Sequence, residues 1–294
     1  MTIQKLQEEQ LAQITNKIVE VVNPEFIICY GCRVTEMKDW SSFIDKGGSR
    51  LRIHPTYDLL IVGAADDKRH DYEIVQLVEQ QSIYPVSIHC IAHKINYVND
   101  AIKANSAFYY SVNRKGKVLF SSDREILLPC PDIPMNSRSS EWNRLFKQAN
   151  HFLSLASHSF SCSWYNQAAF LLHQAVENAC NAMIRFFTGY HSTTHNLVRL
   201  IAITETFSLA PASVFPGVTK EETELLNLLN KAYSDARYKD DYDIPVDKVG
   251  VLLERVKLFL GTADNLHKKG IDFIDDPDAI YCSVEDSDHL KFEI

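Results

Sequence analysis

Along the first 122 positions the apolar residues change their period again and again. Leu6, Leu11, Ile14, Ile18 and Val22 recur at helical spacing, and Pro24 ends that helix. The run Phe26 to Tyr30 predicts a buried strand, and so does YDLLIVGA, Tyr57 to Ala64. DYEIVQLVEQQ, Asp71 to Gln81, predicts a helix, YPVSIHCIA an extended segment, and KINYVNDAIKAN a further helix. AFYYSVNRKGKVLFSS predicts a β-hairpin turning at Asn113 to Gly116. Helices interleaved with strands predict a mixed sheet with helical layers.

The pattern then changes. LLPCPDIPMNSRSS carries three prolines and ends in a polar run, which predicts a linker over 123–138. Beyond it the strand signals vanish. Helical periodicity covers roughly 140–158, 163–187, 196–207, 220–238 and 245–265, with Pro245 where a first turn tolerates it. This predicts an antiparallel helical bundle over 139–268 with short connections. The acidic, patternless end, 269–294, predicts a surface tail. The fold class expected is α+β: a mixed-sheet domain over 1–122, then an all-α bundle.

Composition narrows the function. With 294 residues and 46% hydrophobic content, one large domain or two modest ones can be buried. A formal charge of −8 excludes a nucleic-acid clamp over the whole surface and leaves room for a local basic patch. The seven cysteines are scattered, the first residues are polar, and no apolar run reaches membrane-spanning length. The expectation is a cytoplasmic protein with free thiols and no membrane partner.

EFIICYGCRVTE, Glu25 to Glu36, admits two readings. As C-x-x-C, Cys29 and Cys32 would need a second ligand pair for zinc, and His89, Cys90 and His93 are the nearest candidates. A redox motif would open a helix. The other reading is a strand turning into a helix, so that Gly31 and Cys32 face a phosphate. YGCRV followed by PTYDLLIV resembles the signature of the nucleotidyltransferase (polymerase-β-like) fold, over roughly 10–122. In that family a strand runs into Gly-Ser-Arg and the next carries Asp-x-Asp. The resemblance implies a nucleotide-binding role for Gly31, Cys32, Arg33 and Asp58. Glycine permits close backbone approach to a triphosphate, a helix N-terminus holds its oxygens, and carboxylates hold two Mg²⁺ ions.

This chain departs from that pattern. Cys32 replaces the serine, Thr56 stands at the first Asp position, and VSIHCIAH offers His89 in place of a third carboxylate. One carboxylate does not neutralise a two-metal site. The expectation is a degenerate domain with no catalytic residue and no resident metal, holding a magnesium nucleotide weakly if at all. The plainer alternative stays open: Gly31 and Asp58 are a turn and a strand-end residue. Between the motifs, VTEMKDWSSFIDKGGSRLRIH reads as a loop. It offers Lys38, Lys46, Arg50 and Arg52 beside Arg33, against Glu36, Asp39 and Asp45. It is either a phosphate-facing loop or a solvated one of mixed charge.

In the helical half, Ala168, Leu171, Leu172, Ala175, Ala179, Met183 and Phe186 form a stripe rich in small residues, and Gly189 follows as a C-terminal cap. FLLHQAVEN, the Thr-Gly-Tyr end, THNLVRL and YSDARYKDDY together resemble the HEPN domain (higher eukaryotes and prokaryotes nucleotide-binding), over 139–268. Such domains frequently accompany minimal nucleotidyltransferases, and many are metal-independent ribonucleases with an Arg followed within a few residues by His. There His serves as acid and base while Arg stabilises the phosphate. Arg237 is followed by YKDDYDIP, without histidine. Arg185 and His191 have the spacing but straddle a helix end, His173 reads as a satisfied core histidine, and His195 is expected to fix a turn capped by Thr193 or Thr194. Arg237, Tyr238, Lys239 and Tyr242 remain. They either hold phosphate and base or form an internal network, with Arg237 on Asp235 or Glu177. The expected function is binding of a nucleotide or RNA, at Arg237, Tyr238 and Tyr242 in this half, by a homodimer paired through the bundle. The rivals are an atypical nucleotidyltransferase using Asp58 and a non-catalytic assembly scaffold.

Overall fold

The computed structural model describes residues 3–39, 50–124, 126–129, 139–239 and 241–274. Most of the expected linker, Asp45 and Lys46, and the tail beyond 274 lie outside these residues. The chain divides into two compact units, Met1–Met135 and Asn136–Ile294.

The first unit runs α1 (Ile3–Val22), β1 (Phe26–Asp39), β2 (Arg50–Gly63), α2 (Asp71–Glu79), β3 (Ser87–Lys94), α3 (Ile95–Lys103), α4 (Ala107–Lys115) and β4 (Lys117–Ser121). The strands form one mixed sheet in the order β3-β2-β1-β4. β1 is antiparallel to β2 and β4, and β2 is parallel to β3. Leu59, Leu60, Ile61 and Val62 of β2 are all buried, because the sheet is covered on both faces. Ile27, Leu59 and Ile61 pack with Ile14, Ile18 and Val22 of α1 and with Ile74 and Val78 of α2. Ile28, Leu60 and Val62 alternate to the other face, where α3 and α4 contact the strands.

Three expectations fail in this unit. Residues 107–115 are helical, so no hairpin turns at Asn113 to Gly116. The aromatic, β-branched composition suggested strand. Yet Phe108, Tyr109 and Val112 fall on one helical face and are buried together, and tertiary packing overrides the local preference. Nor does the chain turn into a helix after Gly31: β1 continues to Asp39 in register with β2. For the same reason the described part of the insertion is ribbon, its backbone paired from Arg33↔Thr56 through Asp39↔Arg50.

The second unit runs α5 (Ser139–Ser161), α6 (Tyr165–Thr188), α7 (Leu197–Thr204), α8 (Ala210–Val214), α9 (Lys220–Tyr238) and α10 (Val246–Ile274). The sequence pattern missed α8, a five-residue helix with Pro211 in its first turn. α10 passes the boundary expected at 269. Gly270 allows this, since a Cβ there would lie 2.7 Å from Phe187 Cε1. α6 is enclosed, with Ala168, Leu172, Ala175, Ala179 and Met183 each 0% exposed. The small-residue stripe expected to pair two copies therefore packs inside its own unit, in contact with α5, α9 and α10. α6 ends at Gly189, whose φ of 73° places it in the left-handed region.

Gly116 sits at the α4–β4 junction, where a Cβ would lie 2.3 Å from the Val112 carbonyl oxygen and 2.7 Å from Ile28 Cγ2. A backbone oxygen cannot move aside as a side chain can. Gly116→Ala is expected to cost about 1–3 kcal/mol in urea unfolding. Gly261→Ala, where nothing lies within 4 Å, should be neutral or stabilising, since alanine is the better helix former.

Candidate functional site

Among the described residues, the sequence-predicted site residues fall into two gatherings, one in each unit. In the sheet, Gly31, Asp58 and His89 form one row across three strands. Asp58 is 1% exposed, and a Cβ at position 31 would lie 2.6 Å from its Oδ2. Glycine here makes room for a carboxylate. Arg33, on the same face, pairs with Asp58 through Nη1, and its Nη2 lies 3.0 Å from His89 Nδ1. A guanidinium only donates, so His89 Nδ1 accepts.

A bulge between Cys29 and Gly31 shifts the register, so Cys29 stands opposite Leu59 and Cys32 opposite Tyr57. Both thiols thus belong to the opposite face from Asp58. Burial pushes Cys29 up to about 11 and raises Cys32 as well, with Asp58 adding to both, so neither is a thiolate near neutral pH. The helix N-terminus expected to hold phosphate at Gly31 and Cys32 is replaced by continuous strand. Among the described residues no group of three His, Cys, Asp or Glu side chains can hold a metal ion.

The second gathering joins α6, the start of α7 and α9. His173 is 0% exposed, and its Nε2 lies 3.0 Å from the His195 carbonyl oxygen. That nitrogen carries the proton, and Nδ1 accepts from Gln174 Nε2 at 3.2 Å. Burial pushes the pKa of His173 down to about 4; the His195 carbonyl opposes this, and the nearby charge of Arg237 adds to it. Glu177, 9% exposed, holds His195 Nδ1 at 2.8 Å and Gln174 Nε2 at 3.1 Å. With Nδ1–H committed to a carboxylate, Nε2 of His195 is the nitrogen left for exchange, and the side chain is half exposed.

The His195 ring stacks on Tyr233, centroids 4.6 Å apart. One helical turn on, the Arg237 guanidinium lies 4.0 Å from the Tyr233 centroid and 4.9 Å from that of Tyr238, and its Nε donates to the Tyr233 carbonyl at 2.7 Å. Among the described residues no carboxylate lies within ion-pair distance of Arg237. Asp235 pairs with Lys239 at 2.7 Å and Glu177 holds the His195 ring at 2.8 Å, so the carboxylates considered for Arg237 are engaged by other side chains. An imidazole oriented by a carboxylate, beside an exposed guanidinium, supplies the two groups that phosphate binding and proton exchange at a phosphate require.

The sequence-predicted residues are thus only partly assembled. Arg237 and the exposed Tyr238 stand together. Tyr242 is anchored by its carbonyl, which accepts from Asn166 Nδ2 at 2.6 Å, while its buried hydroxyl has no hydrogen-bond partner among the described residues and burial pushes its pKa up to about 12. The cap of α7 is Asn196, accepting from Arg199 N at 3.1 Å, so neither Thr193 nor Thr194 fills that place. Asn196 immediately precedes the helix, two positions beyond Thr194 and three beyond Thr193, and asparagine is the more favoured N-cap residue. Arg185 and His191 both lie on Glu141, at 3.3 and 3.6 Å. His195, Glu177 and Tyr233 were missed. Their signal, THN ahead of an apolar run and Glu within FLLHQAVEN, is visible in the sequence, but their convergence is not.

Residues 142–266 match the family model of the HEPN domain. No curated protein matches the chain. Among solved structures, TT1696 from Thermus thermophilus is 21% identical, covering 44% of this chain and 98% of its own, with a TM-score of 0.34. ST0689, an archaeal HEPN homologue, is 20% identical over 45% of this chain and 98% of its own, with a TM-score of 0.32. A nucleotidyltransferase-like protein from Exiguobacterium sibiricum 255-15 is 12% identical over 89% and 76%, with a TM-score of 0.24.

The buried His173 gives a pH test. Its folded pKa lies below the ordinary 6.5, so the unfolded chain takes up the proton first. Its contribution is level above about 6.5, and stability falls as pH drops from there toward 4, by on the order of 3 kcal/mol. His173→Gln should flatten that part of the profile, as read from urea unfolding at pH 7 and near pH 4.5. A parallel profile in the variant would assign the loss to other groups.

Proposed function

We propose that this protein, with its HEPN domain over residues 142–266, binds a nucleotide or RNA phosphate at Arg237, Tyr238, Tyr233 and His195, and that its N-terminal domain is a nucleotidyltransferase-like fold without transfer activity. The observation that carries the first half is the exposed guanidinium of Arg237, which no carboxylate among the described residues pairs, beside the half-exposed His195. A guanidinium offers a planar fork of donors to phosphate oxygens, and the 75%-exposed Tyr238 offers a face on which a base can stack. Glu177 orients His195 toward the same ligand.

The pairing of Arg33 with Asp58 supports the second half. Nucleotidyl transfer of this class needs carboxylates that hold two cations. Here the guanidinium already compensates the one carboxylate of the motif, and Thr56, opposite Arg33 in the register, stands where a second would be. Gly31, Cys32, Arg33 and Asp58 then serve the sheet, and a magnesium nucleotide finds few ligands there. Pairing of two copies remains part of the reading. With the α6 stripe consumed, Val251 and Leu258 of α10 are exposed apolar side chains open to it.

Arg237→Ala should abolish most of the thermal shift that nucleoside phosphates or a short RNA produce, while the unliganded midpoint and the light-scattering mass stay as in the parent. Because the guanidinium is exposed, an unfolded variant would instead make Arg237 structural and remove the site. Incubation of the full chain with labelled nucleoside triphosphates, Mg²⁺ and candidate acceptors should transfer no label. Transfer that disappears in Asp58→Ala would promote the active nucleotidyltransferase.

A further inference from the structure

His173, Gln174, Glu177 and His195 close a ring of hydrogen bonds, and the chemistry of each group fixes the direction of every link. The His195 carbonyl can only accept, so His173 Nε2, 3.0 Å away, carries the proton and donates to it. The Nδ1 of neutral His173 must then accept, which it does from Gln174 Nε2 at 3.2 Å. The other proton of that amide goes to Glu177 Oε2 at 3.1 Å. A carboxylate accepts, so the last link runs from His195 Nδ1–H to Glu177 Oε1 at 2.8 Å, back to the residue whose carbonyl began the ring.

This closure fixes the tautomer of His195. With the proton of the neutral imidazole on Nδ1, its Nε2 carries a lone pair and only accepts. Among the described residues nothing donates to that nitrogen, and the side chain is half exposed. The imidazole is held by its face as well, stacked on Tyr233 at 4.6 Å, and two residues on Leu197 N donates to Asn230 Oδ1 at 2.7 Å. Asn230, Tyr233 and Arg237 recur at helical spacing on one face of α9. The guanidinium therefore belongs to the same helix face that holds residues 195 and 197, 4.0 Å from the Tyr233 ring centroid.

The two groups ask different things of a ligand. Arg237 only donates, which suits a phosphodiester, whose oxygens only accept. Neutral His195 Nε2 only accepts, and a phosphodiester has no proton to give it. A ligand that satisfies both carries a donor beside its phosphate. In RNA the ribose 2′-hydroxyl stands on the carbon next to the one that bears the 3′-phosphate, and DNA has no donor there. Resting on the reading that the Arg237 site binds a nucleotide or RNA phosphate, we infer that His195 Nε2 accepts from the ribose 2′-hydroxyl, so that this site selects RNA over DNA. Gln174 and Glu177 are positioning residues for that selection, because they act on the ligand through the tautomer of His195.

The test uses the full chain and a short fluorescein-labelled single-stranded oligoribonucleotide. Beside it stands the oligodeoxyribonucleotide of the same bases, with deoxyuridine for uridine. Both are followed by anisotropy at about pH 8, above the usual imidazole range. RNA should bind about tenfold more tightly, the worth of one well-placed hydrogen bond. His195→Ala should erase that difference, and Arg237→Ala should weaken both ligands. Should His195→Ala fail to fold, a 2′-O-methyl oligonucleotide on the parent protein carries the test. It keeps the oxygen, loses the proton and should bind as DNA does. RNA-like binding of the 2′-O-methyl strand, or an RNA preference that persists in His195→Ala, overturns the inference. Equal binding of RNA and DNA that is lost in Arg237→Ala also overturns it, and leaves the phosphate site standing. Binding of neither strand, or binding indifferent to Arg237→Ala, removes the site and this inference with it.

Discussion

A carboxylate taken out of water must find a cation or several donors, because left alone it costs several kcal/mol. Three carboxylates among the described residues are buried: Glu25 at 2%, Asp58 at 1% and Glu177 at 9% exposure. Each is compensated from another element. Glu25, at the entry to β1, pairs with Arg124 Nη2 at 3.0 Å and accepts from the Ser122 hydroxyl, which joins it to the end of β4. Asp58 takes Arg33 across the β1–β2 ladder, and Glu177 takes His195 at the approach to α7. Apolar burial supplies most of the driving force in both units. These pairs decide which register and which helix approach avoid an unpaired charge.

The same requirement separates the two clusters chemically. At Asp58 both partners are used up on each other. The carboxylate is enclosed, glycine makes room for it, and the guanidinium that compensates it is anchored by His89. At Glu177 the compensation leaves something over. The carboxylate fixes one imidazole nitrogen and frees the other, and Arg237 is held by its own helix and by aromatic faces, with no anion on it among the described residues. A site that exchanges ligands needs groups that are oriented but not consumed, and the helical unit has them.

Much of this was legible along the chain. α9 begins and ends where periodicity places it, at Lys220 and Tyr238, and its Thr219–Glu222 capping box closes the first turn. Residues 107–115 misled because aromatic and β-branched side chains suit a strand as well as a buried helix face. Gly31 misled for a related reason, since a glycine after an apolar run reads equally as a turn or as a point of close approach within a sheet.

The sequence by itself determined the α+β composition, the HEPN resemblance of the second half, the glycine cap of α6, and the candidacy of Arg237 and Tyr238. Those properties depend on residues within a few positions of one another. Only the tertiary structure decided the partners. Arg33 meets Asp58 across 25 positions and His195 meets Glu177 across 18, through a bulged register and a helix crossing that no local pattern encodes. Charge makes such residues candidates for many contacts. Burial, which belongs to the whole fold, selects the one that leaves no charge unpaired.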